Sequence, residues 1–245
     1  VDKSYAQKYY DFEKNHWWFR VRLKIIEDHV AKISSNKPLR ILNIGVASGQ
    51  TSVAFSRFGE VISVENDSDL YKFCKERNLN VINASITRLP FSDSAFDLVC
   101  AFDVIEHVED DKKAISEMYR VCKKNGVLFI TVPAFTHLWS RHDEINHHYR
   151  RYRMTQLIRL FKEFPGKIIR KTYFNTFFYF PIWLYRKYDN HFHNGKESTK
   201  SDFEVINNSF TNNLAFLIFS IERFFLKFLR MPFGVSLMII YRKDG

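Results

Sequence analysis

Residues 40–65 read RILNIGVASGQTSVAFSRFGEVISVE. A short apolar run ends in Gly45, a helical stretch follows from Thr51 to Phe58, and a second apolar run, VISVE, closes the unit. Apolar runs too short for helices, joined through a crossover of this length, are the signature of two parallel strands with a helix on one face. Working outward, the alternation continues. A helix is expected from about Ser68 to Arg77 and a short strand at 80–83. FDLVCAF (96–102) and VLFITV (127–132) are two more buried strands. Between them Asp110 or Asp111 caps a helix whose Ile115, Met118 and Cys122 share one face, and Lys123, Lys124 and Gly126 stop it. Thr155 caps a helix carrying Leu157, Ile158, Phe161 and Phe164. KIIRKTYF (167–174) and SLMIIYRK (236–243) complete the strands. Strands that alternate with helices predict an α/β, doubly wound, mostly parallel sheet. Ligands bind such sheets beyond the carboxyl ends of the strands, so the loops after Ile44, Val64, Phe102 and Val132 should ring one crevice.

Before the sheet, residues 17–33 read as a helix. Trp18, Val21, Ile25, Val30 and Ile33 form its stripe, with Arg22, Lys24, Glu27 and Lys32 largely off it. Residues 174–230 differ from the alternating core. The aromatic run YFNTFFYFPIWLY is followed by a polar stretch at 189–213. Leu214, Leu217, Ile221, Phe224, Phe225 and Phe228 then make a broad apolar helical face, opposed by Glu222, Arg223, Lys227 and Arg230. That face is expected to pack on the domain; a lipid-facing surface is the sharper alternative, and the charges argue against spanning.

The chain has 245 residues, with 46% apolar and 26% charged, which excludes disordered and collagen-like classes. Thirty-seven basic against 27 acidic residues give a net charge of +10, which draws the protein toward anionic partners without saying anything about fold. Cys74, Cys100 and Cys122 are odd in number and lack CxxC spacing, which points to a reducing compartment. The charged start VDKSYAQKYYDFEK has no signal-peptide core. With no uncharged apolar run near the ~18 residues a span requires, a cytoplasmic protein is expected, with peripheral membrane contact as the remaining membrane option.

Four segments carry chemistry. NIGVASG (43–49) follows a strand and opens a helix, with glycine where a ligand needs close backbone approach. Its spacing is G-x-x-x-G, so the dinucleotide fingerprint is incomplete. Glu65 ends the second strand, 22 residues after Asn43, where a carboxylate can accept both hydroxyls of a ribose. The other two are LPFSDSAFDLVCAFDVIEHV (89–108) and TVPAFTHLWSRHDEINHHYRRY (131–152).

Together with His16, Trp17, Trp18 and Phe19, these segments resemble class I S-adenosylmethionine-dependent methyltransferases. The likeness is to a bacterial subgroup with an HxWF segment before the sheet and an LWSxHD…HxRRY segment after the fifth strand. It covers roughly residues 12–173 and the last strand. It implies a Rossmann-like sheet of seven strands with the last antiparallel, an N-terminal helix and a helical, aromatic-rich insertion before the last strand. It divides a single domain into a helical cap (1–36), a cofactor core (37–173), an acceptor-capping insertion (174–230) and a closing strand (231–245). It implies S-adenosylmethionine as cofactor and S-adenosylhomocysteine as product. Asn43, Gly45, Ala47 and Gly49 should face the methionine moiety, Glu65 the ribose, and Asn66, Ser85 and Ile86 the adenine. Phe102 and Asp103 should lie near the sulfonium, with Trp18 and Phe19 as a lid.

The chain departs from the family pattern at three positions. Asn43 stands for an acid, Ala47 for a glycine and Ser85 for an aspartate. If position 47 needs a positive φ, alanine is strained there.

The implied activity is direct in-line transfer to a small-molecule or lipid- or sugar-linked acceptor, where alignment supplies much of the rate. His107, His142 and His147 are the candidate catalytic residues, with His148 beside them and Asp103 and Asp143 as orienters. Asp103, Glu106 and His107 form D-x-x-E-H, similar to the E-x-x-E-H of metal-dependent methyltransferases, but with Asp in first place no metal is assigned. Arg150, Arg151, Arg153, Lys167, Arg170 and Lys171 could favour an anionic acceptor. Two alternatives stand beside this reading. A nucleotide-dependent oxidoreductase is disfavoured by the missing third glycine. A nucleic-acid methyltransferase is disfavoured because AFDV replaces the [DN]PP[YF] run. Oligomeric state is open.

Overall fold

The computed structural model describes residues 3–35, 37–192 and 209–245. Seven strands form one sheet: β1 Leu39–Ile44, β2 Gly59–Glu65, β3 Val81–Asn83, β4 Phe96–Phe102, β5 Cys122–Pro133, β6 Gly166–Phe174 and β7 Ser236–Lys243. Their order is β3-β2-β1-β4-β5-β7-β6. β1 pairs in parallel with both β2 and β4, so the order reverses beside β1 and opens a crevice at its carboxyl end. β7 runs antiparallel between β5 and β6. The α/β, mostly parallel seven-stranded sheet expected from the sequence is therefore present.

Alternation along the strands sorts side chains into two cores, because successive Cβ atoms point to opposite faces. Leu42, Ile44, Leu128 and Ile130 face α5 (Asp111–Val121) and α7 (Met154–Arg159) through Ile115, Met118 and Leu157. Ile41, Leu98, Cys100 and Phe129 face α2 (Trp17–Ser34), α3 (Gln50–Phe55) and α9 (Ser209–Leu226) through Val21, Ile25, Phe55 and Phe219. α1 (Lys3–Asn15) lies against α2 and α4 (Ser68–Glu76), while α6 (Arg141–Ile145) and α8 (Tyr179–Phe192) flank the crevice.

Local boundaries depart from the sequence reading in three places. α5 stops at Val121 and β5 begins at once, so Lys123, Lys124 and Gly126 lie in a strand rather than after a helix. α7 is capped at Arg153, whose backbone N–H donates to Gln156 Oε1 at 2.8 Å, not at Thr155. The stretch 51–58 divides into α3 and a tight turn over Ser56–Phe58.

α9 inverts its expected faces. Ala215, Phe219, Glu222 and Leu226 point inward, whereas Leu217, Phe224 and Phe228 are 58%, 59% and 72% exposed. Glu222 is buried because its Oε2 accepts the backbone N–H groups of Thr176 at 2.8 Å and Phe177 at 3.0 Å, which no strand or helix partner satisfies there. A two-pronged contact from Arg223 to Asp28, at 2.7 and 2.8 Å, then fixes α9 to α2. The polar stretch expected at 189–213 falls mostly outside the described residues.

Candidate functional site

The turn leaving β1 is shaped by three left-handed residues. Gly45 has φ +67°, and a Cβ there would lie 2.5 Å from Val104 Cγ2. Ala47 has φ 48°, a conformation that disfavours a side chain, so the strain conditional on that backbone is realised. Its N–H donates to Glu65 Oε2 at 2.9 Å, while Asp67 N–H donates to Oε1 at 2.9 Å. Glu65 thus ties the turn to the loop after β2. Burial raises its pKa, and the N–H groups of Asp67 and Ala47 offset part of that rise. Asn43 is buried and its Nδ2 donates to Ser52 Oγ at 2.9 Å, which in turn meets Ser63 Oγ at 2.8 Å. Its amide N–H is therefore committed within the fold. Gly49, at φ +85°, does not line the cavity; a Cβ there would meet Leu79 Cδ1 at 2.2 Å, so packing against the α4–β3 connection requires the glycine.

The first two helices close this end. Glu13 of α1 accepts a hydrogen bond from Ser48 Oγ and one from the Gln50 backbone. Burial pushes its carboxyl up to about 7, against the lowering influence of Ser48, Arg22 and Arg77. Arg22 pairs with Asp103, sits 5.0 Å from the Trp18 ring, and leaves its buried Nε without a partner. The sequence reading placed Arg22 off the buried stripe; it is 7% exposed and faces the crevice.

At the other end, three histidine rings gather. His107 and His148 have centroids 4.5 Å apart, and His142 lies 6.2 Å from His148. His148 Nδ1 is 2.8 Å from Asp143 Oδ1, and a carboxylate only accepts, so that nitrogen carries the proton and Nε2 is left with the lone pair in the neutral ring. Asp143 also accepts from Arg151 Nε at 2.7 Å and from Ser140 N at 2.9 Å. Burial alone would raise its pKa; the His148 bond and the Arg151 charge outweigh burial and hold it well below the usual range. Burial, then the charge of His148, lowers His107 to about 4, so its ring is neutral near pH 7. Glu106 is fully buried, neither carboxyl oxygen has a hydrogen-bond partner, and burial and Asp103 raise its pKa. Glu106, His107 and His148 offer ligand atoms within 4.8 Å of one another, close enough to converge on a cation.

One cavity of about 890 Å³ connects the two ends, within the ~300–1,000 Å³ range of small-molecule sites. Asn43, Gly45, Ala47, Glu65 and Asn66 border one side of it. Ser85, Ile86, Phe102 and Asp103 continue the wall, with Trp18 and Phe19 above it. Ser85 spends its hydroxyl on Thr87, 2.9 Å away. His107, His142 and His147 reach the cavity, though His147 is exposed. Sequence reasoning did not single out Glu13 or Arg22. It gave Glu106 only within D-x-x-E-H and left His148 beside the three leading histidines.

Arg151 is the member of the expected basic cluster that borders the cavity, and Asp143 and the Ala134 carbonyl take up its bonds. Arg150 pairs with Asp111, and Arg170 donates to the Leu226 and Leu229 carbonyls. These three members of the cluster are thus committed to separate structural contacts.

Residues 42–130 match a family model described as a methyltransferase domain. An uncharacterized protein of Methanocaldococcus jannaschii is 30% identical over 133 residues, 54% of this chain and 60% of that one. A ubiquinone/menaquinone biosynthesis C-methyltransferase of Pectobacterium atrosepticum is 30% identical over 124 residues, 44% of this chain and 49% of that one. The chain thus spans between half and three-fifths of the length of these curated relatives. Among solved structures, a putative sarcosine dimethylglycine methyltransferase from Galdieria sulphuraria superposes with TM-score 0.61 at 16% identity, covering 91% of this chain and 85% of that one. That structure shares the fold.

Proposed function

We propose that the chain carries a class I S-adenosylmethionine-dependent methyltransferase domain and methylates a small-molecule or lipid- or sugar-linked acceptor. The observation that carries this is the single cavity running from Glu65 and the β1 turn to the histidine cluster. The residues expected to hold the donor and the candidate proton acceptors therefore border one cavity.

The residues present fit the cofactor. Glu65 has both oxygens turned to the crevice loops and is expected to hold the ribose hydroxyls. Asn66, Ser85 and Ile86 are expected beside the adenine. The unpartnered Nε of Arg22 is a donor awaiting an acceptor, as a carboxylate would provide. When bound, S-adenosylmethionine supplies a methyl group on a positively charged sulfur. The chain's own part is to align the acceptor, exclude water and take a proton. His148, held by Asp143 with Nε2 free to accept, is the best-oriented base; neutral His107 stands beside it. Calorimetric titration with S-adenosylhomocysteine and with NADH tests the reading, since binding of NADH alone would favour an oxidoreductase.

Asn43 lacks the charge expected for the methionine ammonium, and Glu13 lines the same end of the cavity. Glu13, which burial pushes up to about 7, is expected to supply that charge once an ammonium beside it favours its ionised form. Glu13→Gln should weaken S-adenosylhomocysteine binding by about tenfold, the value of one charge-assisted hydrogen bond. It should leave 5′-methylthioadenosine, which has no amino-acid end, unchanged. Equal losses for both would show that Glu13 only steadies the turn.

The Glu106–His107–His148 cluster lies near the positive charges of Arg22 and Arg151, which act on Glu106, and Asp103 is drawn off by Arg22. Methyl transfer is therefore expected to survive EDTA. Activity lost to chelator and restored by Mg²⁺ or Zn²⁺ would assign the cluster a metal.

A further inference from the structure

We propose that the outer faces of α8 and α9 dock on an anionic lipid bilayer and present the crevice to an acceptor anchored there. This goes beyond methyl transfer and rests on Proposed function only for the acceptor.

The observation is the inverted α9. Phe210, Leu214, Leu217, Ile221, Phe224 and Phe228 are 74%, 48%, 58%, 46%, 59% and 72% exposed. They recur at alternating steps of four and three residues, forming one apolar stripe along α9 that ends with Phe228 in the turn just after it. The opposite side, Ala215, Phe219 and Leu226, is already buried against the sheet. A helix apolar on both faces has one face too many for water. A patch of this kind marks an interaction surface.

Charge identifies the occupant. The acid of α9, Glu222, is buried, so its outer face presents no carboxylate. Arg20 and Lys24 of α2 flank the helix, 4.3 and 4.9 Å from the Phe216 ring, and Lys227 and Arg230 follow the stripe at its end. Cations bordering an aromatic and aliphatic stripe match a membrane interface, where rings enter the acyl boundary and ammonium or guanidinium groups meet phosphates. No helix among the described residues is long and apolar enough to cross a membrane, so contact is at the surface.

A second exposed apolar row lies beside the crevice on α8. Pro181, Ile182 and Tyr185 of α8 line the cavity, while Phe180, Leu184 and Tyr188 on that helix are 58%, 58% and 57% exposed. Trp17 bridges α9 and the residue before α8, its ring 4.7 Å from Phe178 and 5.6 Å from Phe219. An acceptor with an apolar tail could thus keep the tail in lipid along α8 while its head enters the cavity.

The test is co-sedimentation of the full chain with vesicles of equal parts phosphatidylcholine and phosphatidylglycerol, and with phosphatidylcholine alone. The wild type is expected to bind the anionic vesicles more strongly and to lose that preference in high salt. The double variant Leu217→Glu/Phe224→Glu should lower partitioning by at least about tenfold, since two large apolar side chains no longer enter the bilayer. Both positions are exposed and outside the cavity, so thermal midpoint and S-adenosylhomocysteine binding should not change. Failure of the wild type to sediment, or sedimentation unaffected by the double variant, would overturn the proposal. So would a wild-type dimer by light scattering that the double variant converts to a monomer, since a second copy would then cover the stripe. Vesicle binding without any S-adenosylhomocysteine binding would sustain the docking surface while rejecting the donor site.

Discussion

Glu65→Ala should weaken S-adenosylhomocysteine binding by about a hundredfold or more. The carboxylate is asked to do two jobs. Its bonds to the Ala47 and Asp67 N–H groups, both 2.9 Å, hold the two loops at the end of the crevice expected to take the nucleoside. Its carboxylate also borders the cavity where the ribose is expected. Truncation removes the ribose acceptors and frees a turn that keeps Ala47 in a left-handed conformation. Hydrogen bonds to a charged group contribute ~1.5–3 kcal/mol each, so losing two to the ligand already gives a hundredfold. Glu65→Gln should be nearly as damaging although it preserves volume, because its amide must point a donor at one of the two backbone donors. Titration calorimetry on each variant, with the thermal midpoint as control for folding, decides the matter. A folded alanine variant of unchanged affinity would reject the site.

The core was legible because strand burial is a local signal. Runs such as FDLVCAF at 96–102 are apolar throughout, as a strand covered on both faces must be. The carboxyl-end crevice then followed from chain order alone, and Glu65 fell at its edge. What the sequence could not show was which side of an already apolar element meets the protein. In α9 both faces are apolar over most of their length, so periodicity finds a helix without orienting it. Glu222 looked like a solvent residue and is buried, since the groups that pay its desolvation, Thr176 N and Phe177 N, lie 46 and 45 residues away in sequence. Arg22 was misread for the same reason: its partner Asp103 is 81 residues distant. α1, KSYAQKYYDFEKN, mixes polar and aromatic residues without a clean stripe, so Glu13 went unnoticed as a cavity residue. The basic cluster failed in the opposite direction. Adjacent arginines suggested a shared anion, whereas Arg150 and Arg151 point to different partners once the backbone is fixed.

Asp143→Asn is expected to produce the largest loss of stability of any substitution in the site. Asp143 is fully buried and is bonded at once to His148, Arg151 and Ser140. Asparagine fits the space but leaves the Arg151 guanidinium, 4% exposed, without its counter-charge. Breaking a buried pair in this way costs ~3–5 kcal/mol, or roughly 6–20 °C in thermal midpoint for a chain of this size. His148→Ala removes a single bond and keeps the Asp143–Arg151 pair, so its midpoint should fall far less. The sign with pH follows from the depressed pKa of Asp143. A carboxyl held low contributes its full stability above the ordinary aspartate pKa of ~3.9 and loses it as pH falls toward the folded value. The gap between wild type and Asp143→Asn should therefore be constant from neutral pH down to about 5 and close below about 4. A gap that widened in acid, or one matched by His148→Ala, would refute the arrangement. The same substitution should alter the imidazole. The carboxylate requires a proton on His148 Nδ1, whereas an asparagine amide can offer a donor there and move the proton to Nε2. Nitrogen NMR of His148 would report that switch directly. The switch would put a proton on the nitrogen proposed to receive one, so His148 would lose that proposed role even in a variant that stays folded.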